Sequence, residues 1–272
     1  MIFTFILWMK NYLIIGYGWL GRALAEELKS EGLKIWVSTS DANKLLEIQA
    51  NGFFGIPLIK TNQVLSWDQF PERHFDKVIV TLPPFDGVLE SLNNLLNSLS
   101  FSQIVFTSST GVYTESETMI DEASPVNETH LVYQMEECIR SLTTSTYQIL
   151  RLAGHIGPNR HPLRYFLRHR RPIFNGQAPV NLIHQSDIIS AIIVLLHDIQ
   201  QDKVYNLCWP EHPTKEKYYG DLALEMGEEK LNFLVGNHGK KIDGTKITKE
   251  TGFNYHYSIH EINLLDLRKD NI

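Results

Sequence analysis

Two rhythms of apolar and polar positions alternate over roughly the first 150 residues. Short aliphatic runs occur at 12–15 (YLII), 34–38 (KIWVS), 76–82 (DKVIVTL), 103–107 (QIVFT) and 147–152 (YQILRL). Their length and β-branched content predict buried strands. Between them, apolar residues recur at helical spacing. Ala23, Leu24 and Leu28 mark a helix over 22–30 that Gly32 stops, and Asp41 can cap a helix over 42–49. Further helices are expected over 85–99 and 132–142, with Pro83 and Pro84 ending the strand before the first of them. Strands alternating with helices predict an α/β fold with a doubly wound parallel sheet covered on both faces.

After Gly154 the pattern loosens, punctuated by Pro158, Pro162, Pro172 and Pro179. A strand near 180–184, a strongly apolar helix over 187–196, a strand over 204–207, a helix near 215–226 and a polar tail follow. The expected division is a dinucleotide-binding domain over 1–154 and a small substrate lobe over 155–272, interleaved with the sheet.

Composition narrows the function classes. The chain has 272 residues, 43% hydrophobic and 21% charged, which suits a soluble globular protein. A formal net charge of -6 gives a general nucleic-acid role no support. The two cysteines, Cys138 and Cys208, have no metal-ligand spacing and make no disulfide framework, so a reducing, cytoplasmic setting is the simpler expectation. The first eight residues, MIFTFILW, are apolar, but Lys10 and Asn11 interrupt the run well short of the ~20 residues a bilayer span needs. No secretory pattern surrounds them. They read as an extension ahead of a start at Met9, and no membrane association is expected.

The stretch 13–24, LIIGYGWLGRAL, places Gly16, Gly18 and Gly21 between a strand and a helix. That context gives Gly-x-Gly-x-x-Gly its meaning. Gly16 permits a tight turn, Gly18 lets a pyrophosphate approach the backbone, and Gly21 lets the helix pack close to the strand. The phosphates then meet the helix N-terminus, with its unpaired N–H groups and partial positive charge. The competing reading is a glycine-rich turn with no ligand. Trp19 and Leu20 inside the loop, Leu82 and Pro83 after the 76–82 strand, and Ser108 complete the candidate cofactor set. An acid near the end of the second strand would favour NAD by binding the ribose 2′-hydroxyl. Thr39 occupies that place, flanked by Ser38 and Ser40, with Asp41 two residues later. These hydroxyls, with Lys44 and Arg22 as charge partners, favour NADP over NAD; the alternative is a hydroxyl-rich cap for the next helix.

Four stretches carry a family resemblance: GYGWLGRAL, IVFTSSTGVY, ILRLAGHIGPNRHPLR and VNLIHQSDIISAI. Together they resemble the short-chain dehydrogenase/reductase superfamily, in its extended or atypical branch of NAD-dependent epimerases and dehydratases, over nearly all of 11–260. A Gly-Trp-Leu-Gly loop and an Arg-His-Pro turn are similar to the YeeZ-like group. Extended members carry Gly-x-x-Gly-x-x-Gly, but Ile15 stands at the first position here, which points to the atypical branch.

The resemblance implies a Rossmann fold, a nicotinamide cofactor, a small-molecule substrate and a Tyr and Lys four residues apart on one helix face. The Lys would hold the Tyr pKa down for proton transfer. Ser109 matches the family serine that orients the substrate. The Tyr–Lys pair is missing: four residues after Tyr133 stands Glu137, and no Lys occurs between Lys77 and Lys203. If Glu137 takes the family's helix glutamate, Tyr133 falls at the Lys position and Thr129 at the Tyr position. Tyr133 is then a packing residue, an acid/base working without Lys, or a ligand contact. Tyr113 is a further candidate, with core packing as its alternative.

Residues 160–171, RHPLRYFLRHRR, carry five Arg. Arg160, Arg164, Arg168 and Arg171 at helical spacing predict one basic face, either solvated or a site for an anionic group. Arg160, Arg164 and His155 are the candidate substrate contacts. No His-rich metal spacing is present. His184 and Asp187 are read as structural. Two functions follow: a nucleotide-cofactor oxidoreductase of the epimerase/dehydratase type, or a cofactor-binding sensor or scaffold without turnover.

Overall fold

The computed structural model describes residues 10–69, 72–143, 145–198 and 201–261. The extension read into residues 1–8 and the start at Met9 lie outside them. Chain order is β1 (Asn11–Ile15), α1 (Trp19–Ser30), β2 (Lys34–Thr39), α2 (Ala42–Ala50), β3 (Phe54–Thr61), β4 (Val64–Trp67), β5 (His74–Val80), α3 (Val88–Leu96), β6 (Ser100–Ser109), β7 (Met119–Ile120), α4 (Leu131–Arg140) and β8 (Thr146–Leu152). There follow β9 (Gly154–Ile156), α5 (Pro162–His169), β10 (Leu182–His184), α6 (Gln185–Asp198), β11 (Lys203–Leu207), α7 (Lys215–Glu225), β12 (Lys241–Ile242) and α8 (Thr245–Thr251).

Eight strands form one sheet in the order β11-β8-β6-β5-β1-β2-β3-β4. The pairs β1–β2, β1–β5, β2–β3 and β5–β6 are parallel, and β3–β4 is antiparallel. From β1 the chain winds outward through β2 and β3, then returns to β5 on the other side of β1. This reversal is the topological switch point of a Rossmann-like α/β fold.

The first compact unit spans Met1–Ser108, Thr129–Ile149 and Leu195–Lys203; the second spans Ser109–Glu128, Leu150–Val194 and Val204–Ile272. In the first, Leu13, Ile14, Val37, Val78, Ile79 and Val105 are wholly buried along the strands, as are Leu24 and Leu28 of α1 and Leu92 of α3. A polar network ties the end of α6 to the sheet. Lys77 Nζ donates to Gln103 and to Leu196 O, and Gln103 Nε2 donates to Gln148 Oε1 and Leu195 O. In the second unit, Ile156, Leu163, Leu182, Tyr218, Leu222 and Ile259 form a core of their own.

Two corrections concern elements. The sequence reading had no strands between 50 and 76, yet β3 and β4 form a hairpin there. Asn62 and Gln63 turn it with φ of 47° and 70°, as a primed two-residue turn requires. The basic segment is not one helical face. Pro162 stands at the start of α5, and Arg170, left-handed at φ 49°, caps its end. Only Arg164 and Arg168 are helical; Arg160 precedes the helix and Arg171 follows it.

Candidate functional site

In the first unit the ends of three neighbouring strands come together, with Ile15 of β1 in register with Ser38 of β2 and Val80 of β5. The glycine loop leaves β1 here. Gly16 has φ +112°, a conformation in which a side chain would be strained, and a Cβ on it would meet Thr81 Oγ1 at 3.0 Å and Leu82 Cδ2 at 3.3 Å. Thr81 locks the loop: its N–H donates to Ile15 O at 3.0 Å and its hydroxyl to Gly16 O at 3.1 Å. Nothing in the local sequence marks Thr81, a threonine two residues before a proline pair, for this role.

A Cβ on Gly21 would overlap Gly16 O and sit 2.9 Å from Thr81 Oγ1, so α1 packs against the loop only with glycine there. Gly18 is different. It is exposed, and a Cβ on it would meet nothing within 4 Å. It is also the N-cap of α1, and no side chain caps the helix. Leu20 is buried and Trp19 half-buried; Leu82 is half-buried and Pro83 exposed. The arrangement has the features of a phosphate cradle: a fixed turn, open space over Gly18, and a helix whose first N–H groups receive no side-chain oxygen.

At the end of β2, Ser38 is fully buried and its hydroxyl has no hydrogen-bond partner. Thr39 accepts from Asp41 N at 3.2 Å, and Asp41 caps α2 by accepting from Asn43 and Lys44 N–H groups. The cap of α2 is therefore Asp41, assisted by Thr39, while Ser40 is exposed. Arg22 pairs with Glu26 at 3.2 Å and Glu47 at 2.8 Å.

Ser108, at the end of β6 and buried, donates to Glu136 Oε1 at 2.5 Å. Glu136 is wholly buried on α4 and pairs with Arg140 at 2.8 Å; Arg140 also reaches Glu137 at 2.6 Å. The Arg140 guanidinium lies 5.5 Å from the centre of the half-buried Tyr133 ring. The helix glutamate that matters structurally is thus Glu136. Glu137 is exposed and Thr129 precedes the helix.

In the second unit, Ser109 Oγ accepts from Gly111 N at 3.0 Å, capping a short 3-10 turn. Its own O–H remains able to donate. Tyr113 is buried, with its hydroxyl donating to Asn206 Oδ1 at 2.6 Å and the Arg151 guanidinium 4.8 Å from its ring centre. Burial raises the pKa of this phenol, which works against a role as a base, and its surroundings are those of a packed core residue. His155, on β9, is pushed down to about 4 by burial and then by the nearby Arg160 charge. Arg160 closes a tight turn with Gly157, and Arg164 donates to Asn159 O at 3.1 Å. Lys240 donates to Tyr113 O at 2.5 Å and lies 3.7 Å from Glu115. Asp187, buried, accepts from the backbone N–H groups of His256 and Tyr257, in line with the structural reading given to it.

No group of three His, Cys, Asp or Glu among the described residues is placed to hold a metal ion, and no helix among them is long and apolar enough to cross a membrane. Both cysteines are free.

Comparison with known proteins places this geometry. "Protein YeeZ" of Escherichia coli (strain K12) is 33% identical over 267 residues, covering 92% of this chain and 97% of that protein. The chain belongs to the YeeZ family. Within this YeeZ-family chain, residues 11–131 match the NAD binding domain of 6-phosphogluconate dehydrogenase. The DesIV double mutant, a dTDP-glucose 4,6-dehydratase from Streptomyces venezuelae with NAD bound, superposes with a TM-score of 0.75 at 15% identity, covering 95% of this chain and 96% of its own. The human epimerase family protein SDR39U1 with NADPH superposes at 0.69 and 15% identity, covering 90% and 95%. The YeeZ-family fold is therefore that of the NAD(P)-binding epimerases and dehydratases.

Proposed function

We propose that the chain is an NADP(H)-binding oxidoreductase of the epimerase/dehydratase type, acting on a small, anionic substrate in the cytoplasm. The observation that carries this reading is the open backbone at Gly18, ahead of an uncapped helix at the switch point of the sheet. The residues present fit a dinucleotide: Gly16, Gly18, Trp19, Leu20 and Gly21 for the diphosphate, and Leu82, Pro83 and Ser108 along the neighbouring strand ends. Ser38, Thr39 and Ser40 supply hydroxyls for a 2′-phosphate, with Lys44 and Arg22 as cations. Arg22 is about half exposed and already pairs with carboxylates, so it would exchange Glu47 for the phosphate. The match to the NAD binding domain and the NADPH-bound human neighbour support nicotinamide chemistry. When bound, the cofactor supplies hydride transfer. Ser109 would orient a substrate oxygen through its free O–H. Tyr133, beside the Arg140 charge, would exchange the proton, and Arg160, Arg164 and His155 would meet the anionic group.

A second reading, a cofactor-binding sensor without turnover, is favoured by one observation: no Lys stands one helical turn after Tyr133. Fluorescence titration with NADPH and NADH tests the first step, and tighter NADH binding would overturn the cofactor preference. Loss of nicotinamide absorbance with carbonyl compounds and nucleotide sugars tests the second. Turnover that falls in Ser109→Ala identifies the enzyme; binding without turnover identifies the sensor.

A further inference from the structure

The second unit carries a second concave site that the dinucleotide reading does not use. It is a pocket of about 430 Å³ formed by the end of α5, the segment after it and the start of α7.

 A separate polar cleft of about 800 Å³ lies around Glu115, His212 and His238; the pocket of 430 Å³ is the one whose lining joins aromatic rings to a cationic side chain.

Its floor is aromatic. Tyr165 and His169, one helical turn apart on α5, stack with ring centres 4.1 Å apart and 30° between their planes. Phe166 meets Tyr165 edge-on at 5.9 Å. Phe174 stands opposite, 68% exposed, and Tyr165 is 51% exposed. The backbone that displays Phe174 is fixed on both sides: Ile173 N donates to Asn232 O at 2.8 Å, Leu234 N to Ile173 O at 2.9 Å, and Gly176 N to Leu234 O at 2.9 Å. Lys215 Nζ donates to Phe174 O at 3.2 Å and keeps two further N–H donors. Exposed aromatic surface on so constrained a backbone is pre-organised for contact.

Its rim is cationic. Arg170 is neutralised by Glu228 at 3.0 Å and Glu229 at 3.8 Å. Arg171, which lines the pocket, has no carboxylate partner among the described residues. In a chain of net charge -6, the Arg171 guanidinium and the Lys215 ammonium beside stacked rings select for negative charge and a flat face together. A volume of 430 Å³ lies within the ~300–1,000 Å³ of small-molecule sites.

We propose that this pocket binds a small planar ring carrying one anionic group, a carboxylate or a phosphate, with the ring against Tyr165, His169 and Phe174 and the anion on Arg171 and Lys215. The site is independent of the glycine loop.

The test uses the full chain and saturation-transfer NMR, with indole-3-carboxylate and adenosine 5′-monophosphate as probes and indole and adenosine as their neutral counterparts. The expected result is binding of at least one anionic probe, with its neutral counterpart about tenfold weaker. Arg171→Glu and Phe174→Ala, both at exposed positions, each weaken that probe by about tenfold or more while the thermal unfolding temperature is kept. Which of the two probes binds separates a carboxylate from a phosphate ligand, and either supports the site. Saturating NADPH and Gly18→Ala leave the binding unchanged. The proposal is overturned if neither probe binds, if neutral and anionic probes bind alike, if both variants bind as the parent does, or if NADPH displaces the probe. It is also overturned if sedimentation shows a dimer that Phe174→Ala dissolves, since a second copy of the chain would then be what covers the rings.

Discussion

A methyl group added to Gly18 touches no protein atom within 4 Å, whereas one added to Gly21 overlaps Gly16 O. The two glycines therefore make opposite predictions. Gly18→Ala should fold with an unchanged unfolding temperature but lose at least about tenfold in NADPH affinity, because the methyl fills the space a phosphate needs. Gly21→Ala should lose about 1–3 kcal/mol of stability, the usual cost of overpacking, measured by urea unfolding without ligand. Equal loss of stability in both variants would make the loop a packing device and nothing more. The turn at Gly16 and the close packing at Gly21 were legible in the spacing of the three glycines. Thr81 was not, because its contribution is a pair of hydrogen bonds to a loop 65 residues away in sequence, and no local pattern encodes that.

At the scale of elements, α4 is held by a charge inside the protein. Val132, Met135, Glu136 and Ile139 are its buried residues. Their spacing, i, i+3, i+4 and i+7, is that of an apolar stripe with a carboxylate inside it. That signal is present in the sequence, although the family's motif points to the neighbouring, exposed Glu137. A buried carboxylate is costly unless partnered. Ser108 and Arg140 are the partners here, so Arg140→Met should destabilise by about 3 kcal/mol and Ser108→Ala by about 1–2 kcal/mol. Because both act on Glu136, the double variant should cost less or more than the sum, by at least about 0.5 kcal/mol. A double-mutant cycle from urea unfolding measures it; strict additivity would mean the two contacts act independently. Helix α5 shows the opposite failure of reading. Four arginines suggested one helical face, but a proline start and a left-handed Arg170 confine the helix to Pro162–His169. Likewise Pro57 interrupts the strand signal of β3, and an Asn-Gln turn is a weaker hairpin mark than Asn-Gly.

At the scale of the whole molecule, the alternation of strands and helices that built the sheet was readable because buried parallel strands are continuous apolar runs. In the second unit β10, α6, β11 and α7 were legible in the same way, whereas β7, β9, β12 and α8 were not, since they are short and the order around them rests on particular polar contacts. Two of these involve histidines. His161 accepts from Leu163 N through Nδ1, capping α5, and its Nε2 lies 3.1 Å from the hydroxyl of Tyr218, which itself donates to Ile259 O at 2.8 Å. Protonation would turn the Nδ1 acceptor into a donor facing an N–H. Burial holds His161 at about 4, and burial with the Arg160 charge holds His155 at about 4. Both lie below the ~6.5 of an unfolded histidine. The unfolded chain therefore binds more protons than the folded one between those values. The stability that the neutral rings contribute is complete above pH ~6.5 and is lost progressively as pH falls toward 4. Each histidine is worth on the order of 3 kcal/mol across the window. Asp187 and Glu122, whose pKa values are raised chiefly by burial, act in the opposite sense near the acid end, so the histidine loss should be clearest between pH 6.5 and 5. Urea unfolding at pH 7.5, 6.5, 5.5 and 5.0 should give a falling midpoint. His161→Gln, which keeps a hydrogen-bonding side chain but cannot titrate, should flatten part of that slope, the rest being carried by His155 and by His184 and His212, which burial also lowers. A midpoint independent of pH across the same range, or an unaltered slope in His161→Gln, would show that the His161 cap does not carry the acid sensitivity.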